Sequence, residues 1–172
     1  MRAAIVTVSD RSFQGTRPDV SGPVLQRLAE TAGMEVVATA LVPDDAERIA
    51  RTLIELADVQ SCEVIITTGG TGLSPRDVTP EATRRVIDRE VPGMEAALHH
   101  DSLQRTPFAM LSRGVVGVRG QALIINMPGS PKAVEECFAV VLPVLAHAVK
   151  LLRDENPYAE TNHVCHPSHS LS

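Results

Sequence analysis

Three glycines and an aspartate, close together in one stretch, are the first residues in this chain whose types and spacing suggest chemistry. The run TTGGTGLSPRDVTPEAT, residues 67–83, holds Gly69, Gly70 and Gly72, then Arg76 and Asp77, then Thr79-Pro80-Glu81. It follows the β-branched run Val64-Ile65-Ile66, which reads as a short buried strand. Glycines let a backbone approach a ligand where a Cβ would obstruct it. Thr79 suits a helix N-cap and Pro80 the first helical position. A strand, a Gly-rich turn and a capped helix are the parts from which α/β proteins make phosphate sites. The turn is not a Walker A loop, because no Gly-Lys-Ser/Thr follows the glycines, and its spacing fails the dinucleotide G-x-G-x-x-G pattern. The plainer alternative is a Gly-rich connection that only turns the chain.

The elements that must position this stretch alternate along the chain. Residues 3–8, 35–42 and 63–68 read as strands, with helices over about 19–32 and 45–58 between them. Gly33 marks a helix stop, and Asp44 or Asp45 a cap for the helix that follows. The helix from Thr79 is expected to stop near the breaker pair Pro92-Gly93, and a short helix to follow over about 93–104. Residues 107–113 show no clear periodicity. Residues 114–118 and 121–126 read as two short strands joined by a hairpin turn at Arg119-Gly120. A last helix fits about 131–152, kinked or cut short by Pro143. Residues 1–152 therefore read as one domain, and 153–172 as a polar, disordered tail. The tail carries His163, Cys165, His166 and His169, a spacing at which metal binding is usually adventitious.

Strands alternating with helices imply a mostly parallel sheet covered on both faces, with ligands outside the carboxyl ends of the strands. Four polar segments then share one rim if the last strand is parallel to the first three. They are Ser9-Asp10-Arg11, Pro43-Asp44-Asp45, the Gly69-Gly70-Thr71-Gly72 turn with Asp77, and Asn126-Met127-Pro128-Gly129-Ser130. Helix starts at Thr79 and Ser130 offer unpaired N–H groups that suit phosphate. Lys132, one of only two lysines, stands in a first helical turn where a cation is unfavourable unless an anion binds there; a solvated lysine is the alternative. Carboxylates beside a phosphate site repel it unless a divalent metal lies between, so Asp44 and Asp77 point to Mg2+. Helix capping by Asp44 and a loop salt bridge from Asp77 to Arg76 are the competing roles. No Ser-His-Asp or Cys-His arrangement has supporting context, and His99 and His100 fall within a helix, where a surface position is expected. The chemistry inferred is metal-assisted phosphate or nucleotide chemistry without a covalent protein intermediate.

Composition removes other classes. The net charge is −5, and the aromatic residues are Phe13, Phe108, Phe138 and Tyr158 alone, so neither an electrostatic footprint nor a stacking platform for nucleic acid is present. The core must be aliphatic. Cys62, Cys137 and Cys165 are odd in number and widely spaced, which supports neither a disulfide framework nor a zinc site. No signal peptide and no apolar stretch of membrane-spanning length is apparent, so a soluble cytoplasmic protein without membrane contact is expected.

The 67–83 stretch closely resembles the signature of the molybdenum-cofactor biosynthesis domain of bacterial MogA and MoaB and of the gephyrin G domain. The resemblance continues through VSDRSFQG (8–15), VPDD (42–45), REVPGM (89–94), PFAMLSRGVVGVRG (107–120) and LIINMPGSPKAVEEC (123–137), covering roughly residues 3–152. It implies a Rossmann-like, three-layer α/β/α sandwich with a mostly parallel sheet and a short antiparallel hairpin. It implies molybdopterin adenylyltransferase activity: the pterin phosphate attacks the α-phosphorus of ATP, Mg2+ is required, and pyrophosphate leaves. By motif position Asp44 and Asp77 match the family's two functional aspartates, and TGGTG and NMPGS its nucleotide-binding parts. Ser9, Asp10 and Ser112 match positions that line the pocket. A homotrimer and transfer of product to a MoeA-like insertase are implied as well. The resemblance also admits a MoaB-like or gephyrin-like trimeric module that binds molybdopterin without catalysis. Members lacking activity tend to vary the RDVTP segment, which is intact here, and this favours the enzyme.

Overall fold

A computed structural model of the chain describes residues 1–155. Six strands form one sheet: β1 (Arg2–Val8), β2 (Glu35–Val42), β3 (Val64–Thr68), β4 (Arg89–Glu90), β5 (Val116–Arg119) and β6 (Ala122–Met127). Their order across the sheet is β2-β1-β3-β6-β5-β4. The first four of that order are parallel, and β5 and β4 are antiparallel to their neighbours. The hairpin turn falls at Arg119-Gly120, as expected, with Arg119 paired to Ala122.

The helices are α1 (Asp10–Phe13), α2 (Ser21–Thr31), α3 (Ala46–Ile54), α4 (Thr79–Arg84), α5 (Pro92–Arg105) and α6 (Pro131–Leu152). A π-helical turn, Glu55–Val59, prolongs α3, and a 3-10 turn, Pro107–Leu111, follows α5. Side chains alternate across each strand. Ala3, Ile5, Ile66 and Ile125 therefore pack beneath α2, α5 and α6, while Ala4, Val6, Ile65 and Ile124 pack beneath α3 and α4. Burial of both faces explains why β1, β3 and β6 read as unbroken apolar runs. Each fully buried Ile or Leu contributes about 1.5–3 kcal/mol relative to exposure, so two covered faces hold the sheet without aromatic residues. The fold is the expected three-layer sandwich.

Four expectations need correction. The helix from Thr79 ends at Arg84, well before Pro92-Gly93. Asp88 N and Val91 N donate to Val118 O and Val116 O, both at 2.7 Å, so pairing with β5 takes the chain that the helix would need. The N-cap of α4 is Val78, not Thr79, which becomes the first helical residue. Of the two outcomes expected at Pro143, a kink or a stop, the stop does not occur, since α6 runs from Pro131 to Leu152. Its missing N–H would have paired with the carbonyl of Ala139, an exposed residue, and water can satisfy that group. Finally, Asp10–Phe13 forms one helical turn where only a polar cluster was expected. Of the tail, residues 156–172, including its histidines and Cys165, lie outside the described residues. Among the described residues no helix is long and apolar enough to cross a membrane.

Candidate active site

The parallel strands β2, β1, β3 and β6 end at one rim, so the polar segments that follow them meet there. The chain leaves β1 for β2 on one side and then returns across β1 to form β3 on the other. Open α/β sheets bind ligands at such a reversal. Here it is occupied by the glycine turn. Gly69 (φ +99°) and Gly70 (φ +62°) both take the left-handed backbone that a side chain disfavours. A Cβ on Gly69 would stand 2.3 Å from Val8 O, and one on Gly70 would stand 2.4 Å from Thr79 Oγ1 and 2.9 Å from Asp44 Oδ1. The turn is pinned by three hydrogen bonds, two of them from Thr79. Gly69 N donates to Met127 O (3.1 Å), Thr79 N donates to Gly70 O (3.1 Å), and the Thr79 hydroxyl donates to Gly69 O (2.9 Å).

The acidic residues are sorted by their hydrogen bonds. Asp45 caps α3 by accepting from Arg48 N at 2.8 Å. Asp44 is thereby left to the rim. Asp10 N donates to Asp44 Oδ2 (2.8 Å), and Asp44 N donates back to Asp10 Oδ1 (3.0 Å). Arg76 donates to both Asp10 oxygens, at 2.9 and 3.0 Å. Arg76 therefore pairs with Asp10 and not with its neighbour Asp77. Asp77 Oδ2 accepts from Ser74 N at 2.9 Å and lies against Gly72, where a Cβ would come within 2.9 Å of it. Burial pushes the Asp44 carboxyl up from its ordinary value. The nearby charges of Asp10 and Asp77 add to this, and the hydrogen bond from Asp10 N and the charge of Arg76 only partly offset it.

Two clefts open on either side of this turn. The first, of about 390 Å³, has Ser9, Asp10, Asp44, Gly69, Gly70, Asp77 and Gly129 in its walls. The second, of about 1030 Å³, has Thr71, Gly72, Ser112, Asn126, Pro128 and Ser130 in its walls, with apolar surface from Leu98, Phe108 and Leu111. Successive residues of one turn, Gly70 and Thr71, thus face different clefts.

Some predicted site residues are already committed elsewhere. Asn126 uses its amide on Thr67 Oγ1 and Thr83 Oγ1, both at 3.0 Å, and accepts from Val115 N at 3.2 Å. Ser9 and Ser130 cap α1 and α6 through Ser12 N and Ala133 N. Thr79 and Lys132 line neither cleft. Thr79 is fully buried beneath the turn, which makes it a support for the glycines. Lys132 is a solvated lysine, 86% exposed, with Glu136 3.9 Å away. His99 lies in the wall of the second cleft, whereas His100 is exposed.

The structure brings further charged residues to the clefts. Arg11, Arg17 and Asp19 line the first, and Arg113 lines the second. Asp19 accepts from the Thr7 hydroxyl (2.7 Å) and from Gly22 N (3.0 Å), holding the start of α2 against β1. Arg11 stands in a rim segment already singled out. Arg113 lies inside the 107–120 run beside Ser112, but its role is not legible there, since its partners lie more than thirty residues away.

The donor set at the turn is oxygen alone, which suits a hard divalent cation. Among the described residues no group of three or more His, Cys, Asp or Glu is arranged to hold a metal ion. Two carboxylates beside a glycine turn, as Asp44 and Asp77 are, fit a divalent cation of the kind held by one or two carboxylates together with phosphate oxygens.

Known proteins resemble this chain in sequence and fold. The family model "Probable molybdopterin binding domain" matches residues 4–147. The chain is 41% identical over 176 residues to the molybdopterin adenylyltransferase of Escherichia coli K12, covering 94% of this chain and 89% of that one. It is 42% identical to the molybdenum cofactor synthesis protein cinnamon of Drosophila melanogaster over 92% of this chain, but spans only 27% of that relative's length. The crystal structure of the molybdopterin biosynthesis enzyme MoaB from Thermus thermophilus superposes with a TM-score of 0.84 at 47% identity, covering 90% of this chain and 97% of that one. Matched by the family model over most of its length, and by relatives above 40% identity, the chain belongs to the molybdopterin-binding domain family.

Proposed function

We propose that this chain is a molybdopterin adenylyltransferase that acts with Mg2+. The observation that carries the reading is the pair Asp44 and Asp77, both set against a glycine turn at the reversal of the sheet, with a cleft on each side. In this reading the two heterocycles occupy the two clefts and their phosphates meet at the turn. A phosphate oxygen of molybdopterin attacks the α-phosphorus of ATP. The bond from that phosphorus to the bridging oxygen breaks, and pyrophosphate leaves with the bonding pair. The product carries AMP in a new phosphoanhydride. Mg2+ would be held by Asp44 and Asp77 and would neutralise charge on the phosphate oxygens.

The rest of the site would bind and orient. Gly69 and Gly70 let phosphate approach the backbone, Arg11 and Arg17 supply local positive charge in a chain of net charge −5, and Arg76 keeps Asp10 compensated. No side chain is asked to form a covalent intermediate, and proximity with electrostatic stabilisation supplies the rate. The functional unit is residues 1–152. The same reading has the chain acting as a homotrimer in the cytoplasm and passing its product to a MoeA-like insertase. Exposed apolar side chains such as Phe108 and Met110 support an oligomer.

Pyrophosphate release from Mg2+ and ATP, measured with and without molybdopterin, tests the proposal. Release is expected only with the pterin present. Asp77→Asn, which retains an acceptor for Ser74 N, is expected to lower turnover about 100-fold or more with the fold and assembly intact. Full activity in that variant would remove Asp77 from the mechanism. Pterin bound without any product would instead favour a binding module.

A further inference from the structure

The two clefts share a wall, and one side chain crosses it. Arg113 follows Ser112 in the wall of the second cleft. Its main-chain N–H donates to Thr71 O at 2.9 Å. Its guanidinium then reaches three separate points: Nε donates to Gly72 O (2.7 Å), Nη2 donates to Asp77 O (2.7 Å), and Nη1 pairs with Glu81 on α4. A guanidinium is a planar fork of five N–H donors, so these contacts hold the group in one plane and leave two donors unused. One residue it grips, Asp77, carries the chemistry assigned above. Gly72 faces the second cleft, while Asp77 faces the first.

We infer that Arg113 is a positioning residue that couples the two clefts, so that a ligand in the second sets the Asp77 loop for a ligand in the first. This rests on the adenylyl-transfer reading only for the identity of the two ligands. A ligand that touches Ser112 or the free edge of Arg113 bears directly on the strap across Gly72 and Asp77. By linkage the effect is reciprocal: whichever ligand binds first tightens the other by the same factor. Lysine cannot replace this arginine, because one ammonium cannot span three acceptors set in a plane. Glu81 orients the fork from outside both clefts, since it lines neither.

The test measures binding without turnover. The α,β-methylene analogue of ATP, whose bridging carbon prevents pyrophosphate release, is titrated with Mg2+ into the full chain with and without molybdopterin. The wild-type chain is expected to bind the analogue at least about 5-fold more tightly with the pterin present, within the usual range of roughly 5–150-fold for coupling. In Arg113→Ala and Arg113→Lys that factor falls toward one, whatever change each variant makes to the affinity for either ligand alone. Glu81→Gln keeps a neutral acceptor for Nη1 and is expected to keep most of the coupling. If Arg113→Ala does not fold, Arg113→Lys decides the matter by the same measurement. Coupling that survives the loss of the guanidinium, or a wild-type chain with no coupling, overturns the inference. Coupling in a wild-type chain that forms no adenylylated product would leave the inference standing and refute the catalytic reading.

Discussion

Gly70→Ala isolates the close approach on which the site depends. Its φ of +62° lies in the left-handed region, where a residue with a Cβ pays about 1–2 kcal/mol. The new methyl would also stand 2.4 Å from Thr79 Oγ1, 2.9 Å from Asp44 Oδ1 and 3.2 Å from Val8 Cγ1. The Thr79 hydroxyl cannot swing aside freely, because it is bonded to Gly69 O in a buried position. Overpacking of this kind costs about 1–3 kcal/mol more. The total is about 2–5 kcal/mol, and at roughly 2–4 °C per kcal/mol for a domain of this size the melting temperature falls by about 4–20 °C. Gly120 provides the control. Its φ of +54° is similar, but nothing lies within 4 Å of a Cβ there. Gly120→Ala should therefore lose only the backbone component, about 2–8 °C. Thermal melts followed by circular dichroism measure both, and product formation at a temperature below both midpoints measures the site. Gly70→Ala is expected to lose activity as well as stability, since the clash displaces the Asp44 carboxylate, whereas Gly120→Ala keeps its activity. Equal losses of melting temperature in the two variants would refute the packing argument at the glycine turn.

Three further outcomes follow from the charges and thiols. Asp44→Asn removes a charge that burial and neighbouring carboxylates disfavour, and keeps an acceptor for Asp10 N. It is expected to raise the melting temperature at neutral pH while lowering turnover, and a lower melting temperature would contradict the electrostatic account. Burial works against ionisation of Glu81, but the hydrogen bond and charge of Arg113 outweigh it and hold the carboxyl below its ordinary value. The stability this contributes is present in full above the ordinary glutamate range and is lost as pH falls through the lowered value in the folded state. Glu81→Gln should therefore melt lower than wild type at neutral pH, and the gap should close on acidification. Burial raises the thiols of Cys62 and Cys137, so iodoacetamide at neutral pH should label neither in the native chain, as read by mass spectrometry of peptides; rapid labelling of either would place it at the surface.

Much of the fold was legible because burial writes itself into the chain. The runs at β1, β3 and β6 are apolar on both faces because helices cover both, and Gly120 announces the hairpin. The convergence of Ser9-Asp10, Asp44 and the glycine turn follows from topology alone once those strands are parallel. What escaped the sequence depends on distant partners. The strand β4 is two exposed residues, and it exists only because β5 offers it a ladder. Thr79 has the composition of an N-cap, but the carbonyl of Gly69, ten residues earlier, claims its hydroxyl. Lys132 looked informative because lysine is scarce, yet its place in the first turn of α6 turns it outward to solvent. Arg113 lies within the 107–120 run, yet its role there is hidden, because everything it holds is brought to it by the fold.

In the proposed reaction AMP passes from ATP to the molybdopterin phosphate at the glycine turn between Asp44 and Asp77. Incubating the chain with Mg2+, molybdopterin and ATP labelled at the α-phosphorus tests it most directly. The label is expected in a pterin product heavier by one adenylyl group, with an equal amount of unlabelled pyrophosphate released, and Asp77→Asn is expected to form little of either. Label that remains in ATP while the pterin is bound, or label transferred as readily by Asp77→Asn, would contradict it.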